Sequence, residues 1–338
     1  MRFTSKNALS ISVDFVRVLL AKVTLNQLFI DDLLRSCRIP KHLLSEPNAR
    51  VTLVQYVELM NGLTEATQDE LIGHGISPLP LGSMSLLTHW IVGAKNLDEA
   101  AQRITRFYQV LGQGQPINSY REGELIFFET ELAAHAEHAD FFVAELCFSN
   151  IHRLLSWLAM EMIQVDHVEF QWERPEYAQD YRLMFYGAPC RFDQGQTRIG
   201  FSQAILERPV HQNLPNLEKF LENPNFEILV LDFKAENLAS RVAARIRERL
   251  HAMPSLPELA EEFGIKPYTL QRSLAKEGIT YLAIKNQVKR DAAIEMLVST
   301  DLSIEEISSQ LGFSETSPFT RTFKQWTGIP PSAYRKYH

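Results

Sequence analysis

The chain has 338 residues, of which 45% are hydrophobic and 22% charged, and its net charge is −7. This length and composition exclude a globally disordered chain and predict two folded domains. Three widely spaced cysteines, Cys37, Cys147 and Cys190, provide neither a disulfide framework nor paired metal-ligand spacing. Because Arg17 and Lys22 interrupt the apolar stretch near the N-terminus, we expect no membrane span and no cleaved leader, and a cytoplasmic location.

The N-terminal part has the pattern of an α+β domain with more helix than strand. Helical periodicity predicts helices over residues 97–111 and 141–162. Alternation of apolar and polar residues predicts strands over 125–132 and 168–172, and the segment 192–201 is expected to form a hairpin. The result is a mostly helical domain with a small sheet.

Prolines and asparagines between residues 209 and 225 indicate a connector between two domains. We therefore expect an N-terminal domain at 1–212, a linker at 213–233 and a C-terminal domain at 234–338. The C-terminal part holds 15 Lys and Arg against 12 Asp and Glu, whereas the preceding residues hold 19 against 29. A mildly basic module carried by an acidic one favours an anionic partner for the former.

An internal repeat occupies the C-terminal part, which is helical throughout in its pattern. Residues 255–265 match 303–313 at an offset of 48, and the segments that follow match at an offset of 49. Each copy has a serine suited to cap a helix, Ser255 or Ser303, and a glycine suited to end it, Gly264 or Gly312. Helix, glycine turn and second helix form the helix-turn-helix pattern, whose second helix enters the major groove of DNA. The sequence therefore predicts an all-α domain with two helix-turn-helix units, the second with one more residue in its turn.

The helix that joins the two units is predicted at residues 281–299. At this length it spans about 28 Å, while successive major-groove faces of DNA lie about 34 Å apart. One rigid connecting helix therefore suits two recognition helices on the same side of a duplex.

The second helix of each unit carries polar side chains on one face. Arginine can pair with guanine, glutamine with adenine, and an aromatic ring can contact the thymine methyl group. A soluble surface would explain each side chain singly, and the arginines could also pair with neighbouring carboxylates, but the duplication favours DNA contact. The predicted DNA-binding residues are Tyr268, Gln271, Arg272 and Lys276 in the first unit, and Thr316, Ser317, Thr320, Arg321 and Lys324 in the second.

The segments 311–335 and 269–274 closely resemble the DNA-binding domain of AraC/XylS-type transcriptional regulators. The resemblance covers about the last third of the chain and implies a seven-helix module that binds promoter DNA and usually activates transcription by contacting RNA polymerase. One departure is Pro318 in the second recognition helix, which predicts that this helix begins with Ser317 as its cap.

Segments around residues 97–108, 170–175 and 185–209 resemble the long N-terminal effector domain of one branch of this family, which includes regulators of ornithine use and of virulence. They are not similar to the barrel domain of the sugar-responsive members. This resemblance implies a domain that senses a ligand or forms a dimer.

Other kinds of site have little support in the sequence. His135 and His138 lack a third ligand at recognisable spacing, so no metal or other cofactor is expected. No nucleophile elbow or catalytic carboxylate pair is present, so we expect no enzyme. An effector pocket is predicted from aromatic side chains, for which core packing is the alternative; its residues are Phe128, Phe142, Trp157 and Trp172.

The sequence thus predicts a DNA-binding transcriptional regulator, with activation under a small-molecule effector as the main hypothesis. The expected partners are double-stranded promoter DNA and RNA polymerase, with a small-molecule effector and a second copy of the chain as further candidates. The alternatives are a dimeric regulator or repressor without a ligand, and an enzyme fused to a DNA-binding module.

Overall fold

The computed structural model describes residues 9–132, 138–229 and 238–335. It contains two compact units, each assembled from separate stretches of the chain. One unit comprises Met1–Asp14, Leu28–Tyr56 and Lys234–His338, and the other comprises Phe15–Gln27 and Val57–Phe233. Within the described residues, no helix is both long and apolar enough to cross a bilayer.

The elements fall into two groups along the chain, on either side of residues 230–237. The described elements up to residue 229 are β1 (Ser10–Ser12), α1 (Val13–Ala21), α2 (Gln27–Ser36), β2 (Arg50–Thr52), α3 (Leu53–Thr67), α4 (Ser83–Ile91), α5 (Leu97–Leu111), β3 (Asn118–Glu122), β4 (Leu125–Glu129), α6 (His138–Ala159), β5 (His167–Glu169), α7 (Tyr181–Met184), β6 (Cys190–Arg191), β7 (Arg198–Ser202), α8 (Gln203–Leu206), α9 (Leu214–Leu221) and α10 (Pro224–Leu229), with short 3-10 helices at Lys41–Ser45 and Glu176–Asp180. From residue 238 they are α11 (Leu238–Arg247), α12 (Leu256–Glu262), α13 (Pro267–Lys276), α14 (Tyr281–Ser299), α15 (Ile304–Gln310), α16 (Thr316–Thr327) and α17 (Pro331–Arg335).

A five-stranded sheet in the order β3-β4-β7-β5-β6 organises the larger part of the N-terminal half. Its neighbouring strands are antiparallel except for β5 and β6, which are parallel. The predicted hairpin over residues 192–201 is wrong, because β6 and β7 pair with opposite sides of β5. The chain after β6 continues along the residues that follow β5: the N–H of Asp193 donates to the Trp172 carbonyl at 3.0 Å, and that of Gln194 to the Phe170 carbonyl at 2.9 Å.

The predicted helices and strands of this half are present, with shifted ends. Helix α5 has the predicted bounds, because Asn96 caps its start and Gly112, at φ 61°, ends it. Helix α6 ends before the predicted residue 162, at the left-handed Met160 (φ 55°). Strands β4 and β5 are shorter than the apolar alternation suggested.

Part of the segment predicted as a linker, 213–233, is helical. Asn213 caps α9 by accepting a hydrogen bond from the backbone of Asn216 at 3.0 Å. Pro215 lies in the first turn of α9 and Pro224 begins α10, positions where a proline does not interrupt a helix. Leu217, Phe220 and Ile228 of these helices are buried, so they belong to a packed core.

The C-terminal helices pack around α14, the longest of the seven helices described after residue 237. Its first half, with Ile284 and Val288, joins a core formed with α11, α12 and α13. The same helix also contacts α15, α16 and α17. One helix is therefore the common scaffold of both repeats.

The short ladder of β1 and β2 belongs to the same compact unit as these helices. The Ser10 hydroxyl donates to Asp291 Oδ1 of α14 at 2.5 Å, and Arg50 Nε donates to the Ser10 hydroxyl at 2.9 Å. The backbone N–H of Arg50 donates to the hydroxyl of Tyr334 in α17 at 2.9 Å. All four residues are buried, so this polar cluster lies within the core of the unit.

Candidate nucleic-acid interface

Both first helices of the repeat begin with the predicted capping box. Ser255 caps α12 with Glu258 as its reciprocal partner, and Ser303 caps α15 with Glu306. The backbone N–H of Ser303 holds the pKa of the Glu306 carboxyl below its usual range, and that of Ser255 does the same for Glu258. The repeat seen in the sequence is therefore a repeat of local hydrogen bonding.

The two turns differ by one residue, as predicted. Four residues separate α12 from α13, whereas five separate α15 from α16. Gly264 and Gly312 adopt left-handed φ values of 66° and 71°. A Cβ atom at Gly312 would lie 2.4 Å from the carbonyl oxygen of His251, so this turn requires glycine for space as well as for conformation.

We expect Ser303→Ala to lower the free energy of unfolding by about 0.5 to 2 kcal/mol, because the backbone N–H of Glu306 loses its acceptor. Ser317→Ala, a serine in the next helix that caps nothing, is the matched control and should leave stability unchanged. Urea denaturation of the full chain measures both. Equal losses in the two variants would contradict the capping assignment.

Helix α13 presents its predicted side chains to solvent. Leu270 and Leu274 are buried, whereas the predicted contact residues are all exposed. Tyr268 is 73% exposed, which is unusual for a large ring and leaves it available to a partner. The structure thus places Tyr268, Gln271, Arg272 and Lys276 on the outer face of the helix.

Helix α16 carries the second predicted set. On its inner face, Phe319 and Phe323 are buried. Of the predicted contact residues, Ser317, Arg321 and Lys324 are exposed, whereas Thr316 and Thr320 are half-buried. The prediction that Ser317 caps this helix is wrong. The helix begins one residue earlier, with Glu315 in the cap position, and Pro318 is its third residue, where no backbone N–H is needed within the helix.

The predicted base-contacting arginines have no hydrogen bond or ion pair with any described residue. By contrast, three arginines on or just after α11 have partners among the described residues. Arg245 pairs with Glu248 at 2.9 Å, Arg249 pairs with Glu262 at 2.7 Å, and Arg241 lies 4.7 Å above the ring of Phe263. Pairing with neighbouring carboxylates, the alternative explanation for Arg272 and Arg321, therefore has no support among the described contacts.

The side chains predicted as an effector pocket are buried among different neighbours. Phe128 contacts Phe201, Phe142 contacts His74, and Trp157 contacts Phe220, while Trp172 is stacked on Phe141 with ring centroids 4.4 Å apart. The described contacts fit core packing for each, and the pocket itself stays a prediction. Of the histidines considered as metal ligands, His135 and the side chain of His138 lie outside the described residues, and the described part contains no cluster suited to a metal.

The fold and the exposed faces of α13 and α16 define a class of protein, a DNA-binding protein with two helix-turn-helix units. A family model described as "Helix-turn-helix domain" matches residues 259–337, and one described as "Arabinose-binding domain of AraC transcription regulator, N-term" matches residues 28–210. The chain belongs to the AraC family of transcription regulators, which are not enzymes. The sheet described in the N-terminal half is open, with β3 and β6 at its edges, and is not closed into a barrel.

Some similar proteins match most of this chain, and others match only a part of it. The ornithine utilization regulator of Pseudomonas aeruginosa is 27% identical over 307 residues, which cover 89% of each chain. The transcriptional activator NphR of a Rhodococcus species is 35% identical over 100 residues, 29% of this chain and 30% of its own. The crystal structure of the regulator CdpR from Pseudomonas aeruginosa aligns over 91% of this chain and 96% of its own, with 19% identity and a TM-score of 0.31.

Proposed function

We propose that the chain reads promoter DNA through α13 and α16 and activates transcription under the control of a small-molecule effector. The observation that carries base reading is the pair of recognition helices, each with an exposed arginine that has no partner among the described residues. Tyr268, Gln271 and Arg272 contact bases in one major groove. Thr316, Ser317, Thr320 and Arg321 contact bases in the next one.

We assign Lys276 and Lys324 to backbone phosphates, because each lies in the last turn of its recognition helix on the exposed side. Phosphate contacts set affinity for all sequences, whereas base contacts select among them. The proposed DNA-binding helices lie within residues 234–338, whose compact unit also takes in β1 and β2. The effector and dimerisation roles are assigned to the rest of residues 1–212, and the segment 213–233, which includes α9 and α10, joins the two regions. DNA binding also supports the expected cytoplasmic location.

The full chain should bind duplex DNA with an affinity that falls steeply with salt, because bound phosphates release counterions. Lys276→Ala and Lys324→Ala should each weaken binding to every sequence alike and lower the slope of log K against log salt by about one. Lys219→Ala, a lysine of α9 outside the recognition helices, is the control. Electrophoretic mobility shifts at several salt concentrations measure these quantities. A folded chain that retards no promoter fragment at low salt would contradict the proposal.

The activator assignment is supported by the similarity to the transcriptional activator NphR over 30% of its length. The proposed partner in activation is RNA polymerase, and a homodimer is the proposed assembly. The name of the arabinose-binding family model supports a small-molecule effector at the N-terminal domain. In vitro transcription with and without effector separates an activator from a repressor that has no ligand.

A further inference from the structure

A carboxyl group lies in the core of the N-terminal half, among aromatic and aliphatic side chains. Glu145 of α6 is fully buried. Its Oε1 accepts hydrogen bonds from the hydroxyls of Tyr177, at 3.1 Å, and Tyr181. Its Oε2 has no hydrogen-bond partner, and no ion pair to this carboxyl is found in the part of the chain that the structure describes.

This arrangement leaves Glu145 incomplete in either protonation state. Ionised, it is a buried negative charge without a cation, which is costly. Neutral, it still leaves Oε2 without a hydrogen-bond partner, whichever of its oxygens carries the proton. A ligand that brings both a positive charge and an N–H donor would satisfy the ionised form.

Aromatic rings extend from this carboxyl toward the surface. Tyr181 lies 5.3 Å from Phe170 and 5.8 Å from Phe192, measured between ring centroids, and Phe170 lies 4.6 Å from Trp172. The faces of such rings attract cations. The guanidinium of Arg174 already lies 5.9 Å above Phe192, which is half-buried and forms the outer edge of the cluster.

We propose that Glu145 and this aromatic cluster bind the ammonium group of a small amine, which acts as the effector. The ammonium donates an N–H to Oε2 of Glu145 and lies against the ring faces of Tyr181 and its neighbours. The inference rests on the proposed effector control and adds the chemical class of the effector, an amine rather than a neutral or anionic molecule.

The dependence on pH follows from the ionisation of Glu145. Burial raises the pKa of this carboxyl to about 7 and that of the Cys190 thiol, which also senses Glu145, to about 12. The other groups that face the carboxyl are Tyr177 and Tyr181, and burial raises the pKa of Tyr181. The guanidinium of Arg174 lies at the outer edge of the cluster. An ammonium needs the ionised carboxylate, so affinity should be full above pH 7 and fall roughly tenfold per pH unit below it.

The test uses calorimetry on the full chain with n-butylammonium and 1,4-diaminobutane, compared with 1-butanol and butyrate. We expect an ammonium probe to bind at least roughly tenfold more tightly than the neutral and anionic probes, and to change the affinity for promoter DNA by linkage. Glu145→Gln, which keeps the shape of the side chain, should abolish this preference. Glu173→Gln, an exposed carboxylate beside Trp172, is the matched control and should retain it.

Absence of any preference for ammonium probes in the unaltered chain overturns the proposal without need of a variant. The proposal is also overturned if Glu145→Gln binds the ammonium probes as tightly as the unaltered chain does, or if amine binding leaves the affinity for DNA unchanged. DNA retardation measured without amine in the same samples tests the proposed function separately. A chain that binds DNA but prefers no amine would retain the regulator and lose this site.

Discussion

Replacement of Arg272 by alanine is expected to cost about 1 to 3 kcal/mol of binding free energy for the preferred DNA and to relax base preference at one position. Arg321→Ala should do the same about one helical turn of DNA away, because the repeat places it equivalently in the second unit. Both guanidinium groups are exposed and have no partner among the described residues, so they are available for bidentate contact with guanine. A base-by-base affinity scan and a footprint measure the effect.

The matched control is Arg245→Ala. This arginine of α11 is half-exposed and paired with Glu248, and it belongs to neither recognition helix, so its loss should leave base preference unchanged. An unchanged specificity profile in Arg272→Ala and Arg321→Ala, with folding intact by circular dichroism, would refute direct readout. It would leave the double helix-turn-helix fold in place.

Phe323→Ala should lower the free energy of unfolding by about 3 to 5 kcal/mol, since it removes a buried ring from a packed core. Phe323 is fully buried beneath α16, with ring centroids 5.8 Å from Phe319 and 5.2 Å from Tyr334. The core of the first helix-turn-helix unit is formed by other residues, from α11 to the first half of α14. The second recognition helix should therefore lose its support while the first retains its own.

Denaturant unfolding and a footprint together test this prediction. The footprint should shrink at the half-site read by α16 and persist at the one read by α13. Leu282→Ala removes a 63% exposed side chain at the start of α14 and should change stability by no more than about 0.5 kcal/mol. Loss of protection at both half-sites in a folded Phe323→Ala chain would show that the two units do not act separately.

The sequence was most informative where structure is determined by neighbouring residues. The caps at Ser255 and Ser303, the left-handed glycines and the bounds of α14 all depend on a few consecutive positions. The repeat shows the cap and the glycine twice. The predicted start of α16 is wrong because it assumes that Pro318 must be the first residue of the helix. A proline is tolerated throughout the first turn of a helix, and Pro318 is the third residue of α16.

Features that depend on distant partners could not be predicted. The strand order was missed because the alternation of residues 198–202 indicates a strand but not which strand it pairs with. Glu145 had one local signal, a single carboxylate within the apolar run 142–148, but its tyrosine partners lie 32 and 36 residues further along the chain. Ser10 and Asp291 are 281 residues apart, and no sequence pattern around either residue indicates that they are in contact.

That contact bears on how the regulator is made. A ribosome releases the β1 and β2 segments well before the C-terminal helices, yet Ser10 pairs with Asp291 and Arg50 pairs with Tyr334, which lies 284 residues further along the chain. Through most of translation, the Ser10 hydroxyl and the Arg50 backbone N–H must stay hydrated or find temporary partners, because Asp291 and Tyr334 have not been synthesised. Completion of the DNA-binding unit therefore waits until α17 has been synthesised, and a chain cut short before α17 lacks the partner of the Arg50 backbone N–H.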